Sequence, residues 1–253
     1  QRLIPMPVVL KVAPSKNSES NNEILTEEHP FVEENIPQNE LYSVQRYWNR
    51  RFEFWPNFSK GICTDTVGLF SVTPWDAALQ IAQTLDSYYP KDSPIIVDAC
   101  CGVGGNTIAF ARCIEASNII GVDINSTRLL CARQNSKVNG TEHLTDFVLD
   151  DAINFISNLR HTARFVFASP PWGGPGYTIR SLEDIPFDLF SLMDATINGC
   201  TSNGRLALYL PRTFPDQEAK RLRPKGTKLT KFDVTSGPNE RKIATCYLYG
   251  KTK

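Results

Sequence analysis

The 253-residue chain reads as an α/β protein: a doubly wound, mostly parallel seven-stranded sheet with a small helical lobe on its N-terminal side. Three observations predict this. From residue 94 onward, short apolar runs alternate with helix-compatible segments, the pattern of a parallel sheet covered on both faces. The run Pro94-Ile95-Ile96-Val97 is continuously apolar, as in a strand buried on both sides, and leads into the turn Gly102-Val103-Gly104-Gly105. Near the end, Gly237-Pro238-Asn239 splits two further runs into a hairpin, which supplies an antiparallel edge strand.

Residues 1–40 are acidic and proline-punctuated and are expected to be disordered or loosely docked. Residues 41–88 are assigned to the helical lobe. Tyr42, Tyr47, Trp48, Phe52, Phe54, Trp55 and Phe58 crowd among Arg46, Arg50 and Arg51, too apolar for a solvated linker. A helix is predicted from Trp75 to Ser87, with Thr73 as N-cap and Pro74 near the first turn. Residues 89–253 form the sheet domain. Strands are predicted near 94–100, 118–124, 145–150, 164–169, 205–211, 228–236 and 242–250. Helices fall near 105–116, 126–138, 152–159 and 185–198.

The formal net charge is zero, which does not announce a nucleic-acid binder, yet the charge is uneven. Three basic and seven acidic residues leave the first 40 at −4, so the remainder carries +4. That mild excess suits a short phosphate ligand better than a long duplex. Seven cysteines, an odd number without metal-ligand spacing, and only three histidines argue against a zinc site. Buried thiols in a reducing compartment are expected instead. No apolar run approaches membrane-spanning length and no signal peptide is apparent, so an intracellular protein is expected.

Two motifs carry chemistry. Asp98-Ala99-Cys100-Cys101-Gly102-Val103-Gly104-Gly105-Asn106 reads as strand end, glycine turn and helix start, which aims free backbone amides at an anion or carboxylate. Thr107 stands where a dinucleotide fingerprint would have its third glycine. Asp123, closing Asn118-Ile119-Ile120-Gly121-Val122, lies where a carboxylate grips ribose hydroxyls. The second motif is Ser169-Pro170-Pro171-Trp172 before Gly173-Gly174-Pro175-Gly176-Tyr177. Two prolines remove two amide donors, leaving carbonyl acceptors beside a flat aromatic platform. Such a row suits an exocyclic amino group on a planar base.

These segments resemble the class I S-adenosylmethionine-dependent methyltransferases, whose sheet is Rossmann-like: Asp98 to Asn106, Gly121-Val122-Asp123, Asp150-Asp151 and Ser169 to Tyr177. Together with Phe70-Ser71-Val72-Thr73-Pro74 and Leu210-Pro211-Arg212, the Ser169–Tyr177 stretch is similar to the trimethylguanosine synthases, which hypermethylate RNA caps. The resemblance runs from about Tyr47 to near the C-terminus. It implies that Cys100, Gly102, Gly104 and Asn106 face the methionine part of S-adenosylmethionine, with Asp98 on its ammonium directly or through water. Asp123 would bond the ribose and Asp150 or Asp151 the adenine amine, Ile124 would also contact the cofactor, and Phe70, Ser71 and Thr73 would close over it.

On the substrate side, Ser169 and Pro170 would hold the guanine N2 while Trp172 stacks on a cationic 7-methylguanine, cation–π attraction and stacking together contributing about 1–3 kcal/mol. Asn135 is placed with them, Arg212 is the first choice for the cap triphosphate and Lys60 the second. The products would be methylated cap and S-adenosylhomocysteine. The implied partner is 7-methylguanosine-capped RNA, small nuclear or nucleolar, and the implied residence nuclear, nucleolar or cytoplasmic. The chain departs from the family at Cys63, where a lysine usually follows the Gly61-Ile62 pair, and at Trp75, where an acid usually stands; packing against the lobe is the favoured role for Trp75. Two other classes stay open: an amino-methyltransferase for internal adenine or guanine, and a non-catalytic cap-binding module.

Overall fold

Strand order places the future site before any side chain is considered. The computed structural model describes residues 31–32 and 45–250, apart from 117, 175 and 202–204; the expectations for residues 1–30 and 33–44 lie outside these. Strand β1 (Phe31–Val32) pairs in parallel with β2 (Thr64–Asp65). The main sheet contains β3 (Ile95–Ala99), β4 (Asn118–Asp123), β5 (Thr145–Leu149), β6 (Ala163–Ala168), β7 (Leu206–Pro211), β8 (Lys228–Ser236) and β9 (Arg241–Gly250). Its order is β5-β4-β3-β6-β7-β9-β8, with β3 to β7 parallel and β9 antiparallel to both neighbours. The chain winds outward from β3 through β4 to β5, then returns to the other side of β3 with β6. The switch point therefore lies between β3 and β6, where open α/β sheets bind ligands beyond the strand C-termini. The two motifs follow those two strands.

Period-two packing explains the continuous apolar runs. In β6, Phe165 and Phe167 face one core while Val166 and Ala168 face the other. The first core is sealed by α3 (Trp75–Tyr88) and α4 (Gly105–Cys113) through Ala77, Ile81, Leu85 and Phe110. The second is sealed by α6 (Ala152–Ser157) and α7 (Leu189–Gly199), numbered after α5 (Ser126–Val138), through Ile156, Leu192 and Met193. Truncating a fully buried Phe in such a strand costs about 3–5 kcal/mol. One short helix, α8 (Asp216–Arg221), was not anticipated.

The lobe consists of helical residues 45–49, α1 (Arg51–Phe54), the 3₁₀ turn Phe58–Lys60, β2 and α2 (Thr66–Ser71). Phe54, Trp55 and Ile62 share one core with Val103 of the glycine turn, Ile108 of α4 and Cys131 of α5. Trp75 packs beside Trp55, ring centroids 6.3 Å apart. Asp65 caps α2 by accepting the Gly68 N–H at 2.6 Å, and its other oxygen pairs with Arg128 at 3.0 Å. The N-cap of α3 is Pro74 rather than Thr73, because the Thr73 side chain is engaged with Asn106.

The cysteine expectation is corrected at one pair. Cys63 and Cys131 form a disulfide between the lobe and α5, while Cys100, Cys101, Cys113, Cys200 and Cys246 are free. The two lie 68 residues apart, so only the docking of the lobe brings them together.

Candidate active site

The glycine turn follows from backbone geometry. Cys100 leaves β3 with φ of +63°, a left-handed conformation unusual for a residue with a side chain. Gly102 and Gly104 continue at +54° and +87°. A Cβ on Gly104 would stand 3.1 Å from the Ala132 Cβ, so this glycine lets the turn cross α5 closely. A Cβ on Gly102 would meet nothing within 4 Å, so the turn is open on that side.

Four acids stand at or just past the ends of β3, β4 and β5, in different states. Asp98 is 1 % exposed; its Oδ2 accepts the Thr107 hydroxyl at 2.5 Å, and its Oδ1 has no partner among the described residues. Burial pushes its pKa up to about 7, the Thr107 hydroxyl opposing and the Asp123 charge adding to the rise. Asp123 Oδ2 accepts the Gly102 N–H at 2.8 Å and Oδ1 the Asn125 N–H at 2.9 Å, which fixes the carboxylate at the end of β4. Next to it, Ile124 is 76 % exposed, a large apolar surface on the rim. After β5, Asp151 caps α6 through the Asn154 N–H at 3.0 Å, and Asp150 receives the Asn154 side-chain amide.

Across the switch point, β6 ends at Ala168 and Ser169 follows it. Pro170 is buried and Trp172 half-buried. One face of the indole stacks on Tyr209 of β7, centroids 5.2 Å apart and planes 29° apart; the Tyr177 ring meets it edge-on at 5.4 Å. The lobe approaches the same place. Phe70 lies 3.6 Å from where a Cβ on Gly174 would stand, and Tyr47 packs on Phe70 with centroids 6.1 Å apart. Arg212, exposed just past β7, is near enough to Tyr177 to oppose the burial that raises that phenol's pKa.

The remaining candidates divide. Thr73 and Asn106 are buried together, Asn106 donating to the Thr73 hydroxyl at 3.1 Å. Ser71 is exposed and donates to the Val67 carbonyl. Lys60 is exposed on its 3₁₀ turn. Asn135 corrects the sequence reading. It is fully buried, accepts the Cys63 N–H at 2.7 Å, and donates to the Cys63 and Val103 carbonyls at 2.9 Å. Its amide is consumed in clamping the lobe to the glycine turn, so it has nothing to offer a substrate. Cys63, where the resemblance leads one to expect a lysine, is buried as well and presents no cation. Sequence reasoning does not single out Tyr209, whose ring backs the indole, because an aromatic in a buried strand carries no distinguishing pattern.

Residues 93–239 match the family model described as RNA cap guanine-N2 methyltransferase. The chain belongs to that family. It is 32 % identical over 185 residues to the trimethylguanosine synthase of Schizosaccharomyces pombe, covering 70 % of this chain and 74 % of the relative. The trimethylguanosine synthase of Saccharomyces cerevisiae is 31 % identical over 144 residues, 55 % of this chain and 45 % of the relative. The solved structure of a methyltransferase from Geobacter sulfurreducens superimposes with a TM-score of 0.51 at 10 % identity, over 85 % of this chain and 90 % of that one; this likeness speaks to the fold.

Membership makes S-adenosylmethionine the methyl donor, and the residues fit it. A buried carboxylate oxygen without a donor suits an ammonium, a glycine open on one side suits close approach, and a fixed acid beside an exposed Ile suits a ribose next to an apolar ring.

Proposed function

We propose that this methyltransferase modifies the N2 amine of 7-methylguanosine caps, giving 2,7-dimethyl- and 2,2,7-trimethylguanosine. One observation carries the choice of base: an indole backed by a tyrosine on one face, set directly after two prolines and opposite the glycine turn. A cationic 7-methylguanine gains cation–π attraction on this platform, whereas a neutral guanine gains stacking alone. The capped partners would be small nuclear and nucleolar RNAs and the residence nuclear; family resemblance supports both.

The chain's own residues do the positioning. Bound S-adenosylmethionine supplies a methyl group activated by a sulfonium, a leaving group good enough that no strong base is required. Asp98 holds the ammonium and Asp123 the ribose hydroxyls, while Ile124 and Phe70 shield the adenine and Asp150 or Asp151 takes its amine. Carbonyls of Ser169 and Pro170 accept the N2 hydrogens and turn the nitrogen lone pair toward the methyl carbon. The missing amides of Pro170 and Pro171 leave no competing donor there. Orientation of this kind contributes up to about 7–11 kcal/mol to lowering a barrier. Arg212 is placed to receive the triphosphate, with Lys60 second.

The test is methyl transfer from tritiated S-adenosylmethionine to 7-methyl-GTP and to GTP. Labelling of 7-methyl-GTP in strong preference supports the reading. Equal labelling of both, or of neither, refutes it, and strong labelling of uncapped oligonucleotides would favour the internal-base alternative.

A further inference from the structure

The lobe carries charge and aromatic surface that neither the cofactor nor the base accounts for. Residues 45–60 hold four cations, Arg46, Arg50, Arg51 and Lys60, against one acid, Glu53, in a chain whose net charge is zero. Arg50 is engaged by Glu53 at 2.7 Å. Arg51 meets no carboxylate among the described residues. Its Nη1 donates to the Trp48 carbonyl at 3.0 Å, and its guanidinium lies over the rings of Trp48, Phe52 and Phe58, 4.8, 4.6 and 5.7 Å from their centroids. The cation is held in place without being neutralised. Phe52 is 46 % exposed, and its ring meets Phe58 edge-on at 6.2 Å. A lone exposed ring is ordinary on a surface. One braced by a second ring and set beside an unneutralised guanidinium makes a platform for a base next to its phosphate. The same stretch reaches the site. Tyr47 lies one turn before Arg50, whose N–H bonds the Tyr47 carbonyl at 3.0 Å, and Tyr47 packs on Phe70 beside the Gly174 loop. Arg46, next to Tyr47, is exposed.

We propose that the lobe face formed by Arg46, Arg51 and Phe52 carries the single-stranded RNA that follows the cap triphosphate. This rests on the cap reading above and adds a track for the rest of the substrate. The RNA leaves the base site over Tyr47, its phosphates meet Arg46 and Arg51, and one base stacks on Phe52. Phosphate pairing and stacking need no particular sequence, because every base has a π-face, so the track lends affinity without selecting sequence. An acidic protein segment would satisfy the cations, but its carboxylates offer nothing to the exposed ring.

The experiment measures the affinity of the full chain, saturated with S-adenosylhomocysteine, for a capped dinucleotide and for a capped single-stranded RNA of about ten nucleotides, within the span that one such face covers. Wild type is expected to hold the capped RNA about tenfold tighter at low salt, and the advantage should shrink as salt rises. Phe52→Ala should remove about fivefold of that advantage and Phe52→Tyr should keep it, while both bind the dinucleotide as wild type does. Arg46→Ala should lower the slope of log affinity against log salt by about 0.7 for the capped RNA, one phosphate's share, and leave the dinucleotide slope unchanged. Equal wild-type affinities for the two ligands, or an advantage that Phe52→Ala and Arg46→Ala both leave intact, overturns the track and leaves the face to an acidic protein segment. Methyl transfer to the same two ligands from S-adenosylmethionine is followed in parallel. Transfer to neither overturns the cap reading instead, and the track with it.

Discussion

Cofactor affinity should depend on pH through a single carboxyl group. Asp98 is buried, and its pKa is pushed up to about 7 by burial. In the unfolded chain the same group ionises near 4. The folded pKa lies above the unfolded one, so between pH 4 and 7 the folded state keeps a proton that the unfolded state has released. Folding is therefore disfavoured as pH rises through that window, by up to about 4 kcal/mol at pH 7 and above. An ammonium bound at Oδ1 reverses the preference, because it favours the carboxylate. The competent form is then about one-tenth of the free protein at pH 6 and about nine-tenths at pH 8, which predicts a tenfold tighter S-adenosylhomocysteine complex at pH 8. At pH 7 about half a proton should leave on binding, readable from titrations in buffers of different ionisation enthalpy. Burial pushes the neighbouring Cys100 and Cys101 thiols up, away from this window. Asp98→Asn should bind about 10–100-fold more weakly, having lost a charge-assisted bond, and without the pH trend. Affinity that is flat from pH 6 to 8 with no proton released would refute the assignment of Asp98 to the ammonium.

Other perturbations separate the two halves of the site and its support. Trp172→Ala should lower 7-methyl-GTP affinity by about 1–3 kcal/mol while S-adenosylhomocysteine titrates nearly as in wild type; unchanged cap affinity would remove the platform. Arg212→Ala should cost about tenfold in affinity for a capped dinucleotide and flatten its salt dependence, with little effect on 7-methylguanosine itself. Asn135→Ala should lower the unfolding free energy by about 2–4 kcal/mol, since three hydrogen bonds at buried groups are lost together; an unchanged Tm would mean that the lobe is held some other way.

Strand existence was legible because burial on both faces leaves runs such as Ile95-Ile96-Val97, and the observed β8 spans the very residues expected for it. The helix predicted over 126–138 is also observed with those bounds, with Asn125 accepting the Arg128 N–H as its cap. Contacts that depend on the lobe's docking were not legible. Asn135 looks like any polar helix residue until the Cys63 backbone is laid against it. Cys63 and Cys131 gave no spacing signal for the same reason. A hydroxyl before Pro74 ordinarily serves as a cap, but at Thr73 a tertiary bond from Asn106 outweighs that local preference. Tyr209 is silent in sequence, since an aromatic in a buried strand has the same composition whether it fills the core or carries a platform.

The lobe is a condition of both half-sites rather than an appendage to them. Val103, at the centre of the glycine turn, is buried against Trp55 and Ile62, and its carbonyl is held by Asn135. The turn thus takes its shape partly from residues outside the sheet domain. On the other side of the switch point, Phe70 and Tyr47 bring the lobe up to Gly174 and Tyr177. A parallel sheet alone places two loops side by side at β3 and β6 but leaves the space above them to water. Methyl transfer to a weakly nucleophilic, resonance-delocalised amine depends on orientation, and orientation is lost when loops move by an ångström. Closing both loops under one aromatic lobe, clamped through Asn135 and the Asp65–Arg128 pair, is how this chain turns two adjacent strand ends into one site.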